Sequence, residues 1–211
     1  DVLHEDEMLA SVRKVMQEFY QPLKAQEEMI KFCFITGITK FSQLSIFSTI
    51  NNLKNVTMLP RFATICGITD NELVTQLSED IGQLAEAYGC TPEEMHEKLQ
   101  LHYDGYHFAE QSDGVYNPFS LLNALDDKKL SNYWFATGTP TFLINQMRHF
   151  RTDIMSLDHL KVASSAFDQP TENMDDALPI LYQSGYLTIK DYDPEIEAYT
   201  LSIPNQEVRI G

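Results

Sequence analysis

Phe32-Cys33-Phe34-Ile35 is a short apolar run bounded by Lys31 on one side and Thr36-Gly37 on the other. A run this short, aromatic and β-branched and closed by glycine, predicts a fully buried strand. Small polar residues and one cation come next: Thr36, Thr39, Lys40, Ser42 and Gln43. Leu44, Ile46, Phe47 and Ile50 suit a short helix over residues 42–50, and Asn51-Asn52 breaks it. Val56-Thr57-Met58-Leu59 predicts a second strand, within residues 54–59, that Pro60 ends. Strand, polar turn, helix, strand is the order of an open α/β sheet. Ligands of such sheets sit beyond the C-terminal ends of the strands, so residues 36–40 form a candidate site.

The flanking segments are mostly helical. Met8, Val12, Val15, Met16, Phe19 and Leu23 keep the i, i+3, i+4 rhythm of one amphipathic helix over 5–23, ending near Pro22. Thr69 followed by Glu72 is a capping box that starts a helix to about Tyr88, with Gly89 beyond its end. Thr91-Pro92 and a glutamate at position 94 repeat the signal and turn Met95, Leu99 and Tyr103 inward. Residues 104–115 read as a glycine- and acid-rich loop, and Asn117-Pro118 and Thr139-Pro140 as further helix starts. A helix over 175–184, with Pro179 working against it, precedes two strands at 186–190 and 198–203 joined by an acidic turn. Helix, glycine, strand, turn, strand is the order of a winged-helix unit. The expected fold is therefore α/β with a mostly helical lid. The expected domains are a sheet-bearing part over 1–68, a helical lid over 69–150 and a winged-helix-like unit over 151–211.

Charge limits the partners. Residues 1–62 hold seven acids and seven bases, whereas residues 63–211 hold 24 acids and eight bases of the whole chain's net −16. That surface repels phosphate backbones and anionic membranes. Residues 173–205 contain six acids and one base, Lys190, so the winged-helix-like unit is not expected to bind bare DNA. No apolar run approaches the roughly 20 residues that span a bilayer. Cys33, Cys66 and Cys90, an odd number at wide spacings, are expected as free, buried thiols in a reducing cytoplasm. A first residue other than Met and a last residue just after a strand suggest a fragment.

Several chemistries are weighed against plainer readings. Thr36, Thr39 and Lys40 suit a phosphate, since hydroxyls orient water and an ammonium neutralises charge; the plainer reading is a strand-end turn with a surface lysine. Arg61, past the second strand, is either an arginine finger or sensor, or a surface cation. His96 and His102 are wrongly spaced for one helical face, and no H-E-x-x-H motif occurs, so no metal site is expected. Asp191, Asp193, Glu195 and Glu197 lack the glycine of a calcium loop. Asp104-Gly105-Tyr106-His107-Phe108 is an aromatic cluster around a glycine turn, suited either to a ligand or to packing a loop on its domain. Neither a G-x-x-x-x-G-K-[ST] loop nor a strand ending in Asp-Glu is present, so this chain alone is not expected to hydrolyse nucleotide. A nuclease site of the PD-(D/E)XK type is absent as well, because Thr188 stands where Ile189-Lys190 would need an acid.

Seven stretches resemble, together and in order, the AAA-ATPase-like family of bacterial proteins: FITGITKFSQLSIFSTINNLKNVTM, RFATICGIT, YDGYHF, VYNPFSLLNAL, NYWFATGTPTFL, LYQSGYLTIKDYD and YTLSIPNQEV. The resemblance covers nearly the whole chain. It implies the C-terminal portion of a P-loop ATPase module: the last strands of the sheet, the lid and the winged-helix-like end. It implies that Thr36 is a sensor at the end of a core strand, with Thr39 and Lys40 beside it and Arg61 after the next strand. It further implies an upstream ATPase segment, which would hold ATP and Mg2+, and a downstream nuclease-like domain. The rival expectation is a non-catalytic protein-interaction module carrying an acidic winged-helix-like unit.

Overall fold

The computed structural model describes residues 6–37, 53–136, 141–169 and 174–210. They gather into two compact units. One draws on Asp1–Asn55, Phe142–Thr152 and Ser165–Ser184, the other on Val56–Thr141, Asp153–Ser164 and Gly185–Gly211.

In the first unit the amphipathic rhythm gives α1, Asp6–Ala25, which continues past Pro22. Met16, Tyr20 and Leu23 pack with Ile35 and Leu53, while Val12, Val15 and Phe19 on the same helix stay exposed. The run expected as a buried strand takes no regular structure: Phe32 is 82% exposed, Phe34 50%, and Cys33 is exposed too. Apolar, β-branched composition marks a segment that fits a sheet, but a strand exists only when a neighbour takes up its backbone hydrogen bonds. Among the described residues nothing pairs with 32–35. The helix expected over 42–50 and the cap at 139–140 lie outside the described residues.

The rest of this unit is α7, Thr141–His149, with α8, Ser164–Phe167, and α9, Leu178–Gln183, two elements whose ends come close enough for Phe167 and Tyr182 to meet edge to face at 4.6 Å. Helix α9 is shorter than the expected 175–184. Asp176 Oδ1 accepts from the Leu178 amide at 2.7 Å and so marks the start. Pro179 then falls in the first turn, where its missing N–H costs nothing.

The second unit begins with another correction. Residues 56–59 form a turn, the Leu59 amide donating to the Val56 carbonyl at 3.1 Å, and lead into a 3-10 turn at Pro60–Phe62. Strand β1, Ile68–Thr69, pairs antiparallel with β2, Val115–Tyr116. Between them run α2, Asp70–Gln76, α3, Ser78–Tyr88, and α4, Pro92–Tyr103. The helix expected from 69 to 88 is thus two, broken at Leu77 with φ −118° and ψ 19°. Both capping boxes form, and Gly89 ends α3 in the left-handed region at φ 63°, where glycine carries no Cβ penalty. Met95, Leu99 and Tyr103 are fully buried, packed with Leu73, Leu84 and Leu121. Helix α5, Pro118–Asp126, is capped by Asn117, and α6, Tyr133–Ala136, follows.

A three-stranded antiparallel sheet and one helix complete this unit. Strands β3, Leu160–Val162, β4, Thr188–Asp193, and β5, Ala198–Ser202, lie in the order β3-β5-β4. The register shifts between Ile189 and Asp191. Helix α10, Gln206–Ile210, packs against α4. Among the described residues no helix is long and apolar enough to cross a membrane.

Candidate functional site

The anticipated site residues are spread out. Thr36 is exposed, in the first unit, on chain without regular structure. Thr39 and Lys40 lie outside the described residues. Arg61 belongs to the second unit, on the 3-10 turn, with its guanidinium 4.6 Å from the centroid of the neighbouring Phe62 ring. The cysteines are free, but Cys33 and Cys66 are exposed and Cys90 half-buried, so the expected burial does not hold. Among the described residues no group of three acidic, histidine or cysteine side chains is placed to hold a metal.

The densest polar arrangement is elsewhere, around the Asp104-Gly105-Tyr106-His107 loop in the second unit. Strand β4 grips the loop with two side chains, Thr188 and Lys190, the second of them at the register shift between Ile189 and Asp191. Thr188, 2% exposed, accepts from the His107 amide at 2.7 Å and donates to the His107 carbonyl at 3.0 Å. Lys190 donates to the carbonyls of Gly105 at 2.8 Å and Pro204 at 3.2 Å. Lys190 is exposed as a residue, yet its ammonium is enclosed enough for burial to hold its pKa below the usual lysine range; the charges of Asp104 and Asp158 oppose that shift. Gly105 sits at φ +98°, and a Cβ there would run into the Pro204 carbonyl oxygen. The loop also pairs back on itself through the Tyr106–Val115 bridge. Tyr106, Val115 and Val208 form a small core with Phe108, Trp134 and Tyr186 against it. Of the two readings of this cluster, the structure displays the packing of a loop on its own unit.

Helix α10 is fastened to the same place. Asn205 caps it, its Oδ1 accepting from the Val208 amide at 3.1 Å, while its Nδ2 donates to the Asp104 carbonyl at 3.0 Å. Arg209 pairs with Asp158 at 2.8 Å, and that hydrogen bond holds the Asp158 carboxyl below its ordinary range. Glu207 is 0% exposed, and its Oε1 accepts the Trp134 amide at 2.9 Å. Burial raises the Glu207 pKa above its ordinary value, against the pull of the Trp134 amide, the Ser120 hydroxyl and His102. Beside the loop, a shallow cleft of about 280 Å³ is lined by Leu101, Asp104, Gly105, Pro204, Asn205 and Arg209, among others.

A second polar node joins α2, α4 and β2. His96 Nε2 lies 2.6 Å from Asp70 Oδ1, and the Tyr116 hydroxyl donates to that same oxygen at 2.8 Å. Burial works to raise the Asp70 pKa, but these two hydrogen bonds and the nearby imidazole together lower it. His96 is thus the partner of a carboxylate at a helix start.

Comparison with known proteins bears on residues 1–47, which match the sequence model of the AAA-ATPase-like family, described as "Predicted AAA-ATPase". An uncharacterized protein in the vnfD 5' region of Azotobacter chroococcum mcd 1 is 29% identical over 218 residues, 99% of this chain. The chain spans 39% of the length of that curated relative. No solved structure matches the chain. The family match takes in Thr36, Thr39 and Lys40, whereas the polar node at Asp104 lies beyond it.

Thr188, Asn205 and Glu207 were not anticipated as site residues. Their signal was present only in part: DGYHF stood out as a motif, but nothing in its spacing names partners about 80 to 100 positions away. A buried glutamate in a five-residue helix, Gln206–Ile210, is invisible to periodicity.

Proposed function

We propose that this chain is the nucleotide-sensing and lid portion of an AAA-like ATPase. The observation that carries the reading is the family match at residues 1–47, the segment that contains Thr36. In this reading Thr36 is the sensor hydroxyl, Thr39 and Lys40 flank it, and Arg61 is a finger or sensor cation. The residues present do not by themselves fit ATP and Mg2+. The sequence has no phosphate loop, and the described residues hold no cluster of metal ligands. Both would be held by another segment of the intact protein, and this chain alone would not turn over nucleotide. The β3-β5-β4 strand order supports a winged-helix-like end over 151–211, whose role would be to report nucleotide state to a neighbouring domain.

The test is ATP turnover by the intact protein with Thr36→Ala and Arg61→Ala. Loss of one preorganised polar group at a reacting phosphate costs about 100-fold in kcat. That fall is expected for Thr36→Ala with nucleotide affinity near the parent value. Unchanged turnover in both variants, or no turnover by the intact parent, overturns the reading.

A second reading, a non-catalytic module that binds protein through the acidic end of the chain, is favoured by one observation. Lys190, the single base among residues 173–205, already spends its ammonium on two carbonyls of its own unit. An intact protein that neither binds nor hydrolyses ATP would leave this one standing.

A further inference from the structure

Among the described residues of the second unit, four buried polar atoms lack an aligned hydrogen-bond partner: Glu207 Oε2, Ser120 Oγ, Tyr106 Oη and Asp104 Oδ1. Ser120 and Glu207 are each 0% exposed and Tyr106 is 7% exposed. Both hydroxyls are near enough to be felt: the charge of Glu207 helps to raise the Tyr106 phenol, which also has the Asn117 and Asn205 side chains beside it, and the Ser120 hydroxyl favours the ionised form of Glu207. An ionised Glu207 is acceptor-only, so Oε2 would be a buried anionic oxygen without an aligned donor. A neutral Glu207 carries a proton on that oxygen, and the Ser120 hydroxyl beside it can accept. Oε1 keeps the Trp134 amide in either state.

We propose that α10 is a proton-dependent latch, closed on α4 and α6 when the Glu207 carboxyl is neutral and loosened when it ionises. The groups facing this carboxyl are few. From α4 come His102 and Tyr103; from the loop, Tyr106; from α6, the amides of Tyr133 and Trp134; and from α5, Ser120. Of these His102 alone brings positive charge, and it favours the ionised form. Arg209 on α10 itself is engaged by Asp158. The raised pKa of Glu207 agrees with the geometry and sets the sign. A group whose folded pKa lies above its unfolded value adds stability that is complete below the unfolded value, 4.5, and is lost as pH rises through the folded one.

Trp134 is the single tryptophan, and its ring packs on Tyr186 at 4.9 Å, so its fluorescence reports the latch directly. The experiment is a pH series from about 4 to about 8, across the carboxylate and imidazole ranges. It follows Trp134 emission and hydrogen exchange of 205–210 in the parent and in Glu207→Gln and His102→Gln. The parent is expected to show an emission change with its midpoint above 4.5 and a loss of protection in α10 over the same interval. Glu207→Gln, which keeps an acceptor for Trp134 and cannot ionise, is expected to hold the low-pH emission and protection throughout. His102→Gln is expected to move the midpoint upward, because the cation that favours ionisation is gone. A parent flat across the series overturns the latch, as does a transition that persists in Glu207→Gln or one that disappears in His102→Gln.

Discussion

At the scale of single residues, Gly105 and Gly82 make a controlled pair. Gly105 combines φ +98° with a direction in which a Cβ meets the Pro204 carbonyl and lies 3.0 Å from Lys190 Nζ. Gly105→Ala therefore displaces the lysine clamp as well as straining the backbone, at a cost of about 2 kcal/mol or more. For a chain of this size that corresponds to a fall in Tm of roughly 4–8 °C. Gly82 lies inside α3, and a Cβ there meets nothing within 4 Å. Gly82→Ala should raise stability by about 1 kcal/mol, the helix preference of alanine over glycine. Thermal unfolding of the two variants side by side checks both signs. If Gly105→Ala melts with the parent, the loop is not held by the contacts described.

At the scale of elements, what could be read in the sequence was whatever the local chain decides for itself. Thr69 and Thr91 each accept from an amide three residues on, and Glu72 and Glu94 return the bond, so both helix starts were legible from four letters. Met95, Leu99 and Tyr103 were legible as a buried stripe because a helix imposes its own period. Strands were harder, since their bonds come from elsewhere in the chain. Residues 32–35 have a strand's composition and no partner among the described residues, while Leu160–Val162 has a partner in β5 and too few residues to show a pattern. The node around Glu207 was illegible for the same reason, because α10 meets residues between 102 and 134, the nearest of them 73 positions away. The caps also make the simplest quantitative test. Thr91→Ala should cost about 1 kcal/mol by urea unfolding, with an unchanged dependence on denaturant, because it removes a cap and leaves the surface exposed on unfolding as it was. Thr91→Ser, which retains the acceptor, should restore most of it; equal losses in both would mean that the hydroxyl is not the cause.

At the scale of the whole chain, charge decides which partners can approach. The net −16 repels polyanions beyond contact range, and the one base of the 173–205 segment is held inward by two carbonyls. A winged-helix-like order of elements therefore does not bring DNA binding with it. Affinity for duplex DNA comes first from counterions released by surface lysines and arginines, and each such contact steepens the salt dependence. With no free base on that segment to release any, the chain should show no retention of duplex DNA even at about 50 mM salt, where nonspecific binding is strongest. Electrophoretic mobility and fluorescence anisotropy on a labelled duplex both read this out. Lys190→Gln should change neither, though it should loosen the 104–108 loop by losing the clamp on Gly105 and Pro204. Binding that weakens steeply as salt is raised would show that bases elsewhere in the chain form a patch strong enough to outweigh the acidic field.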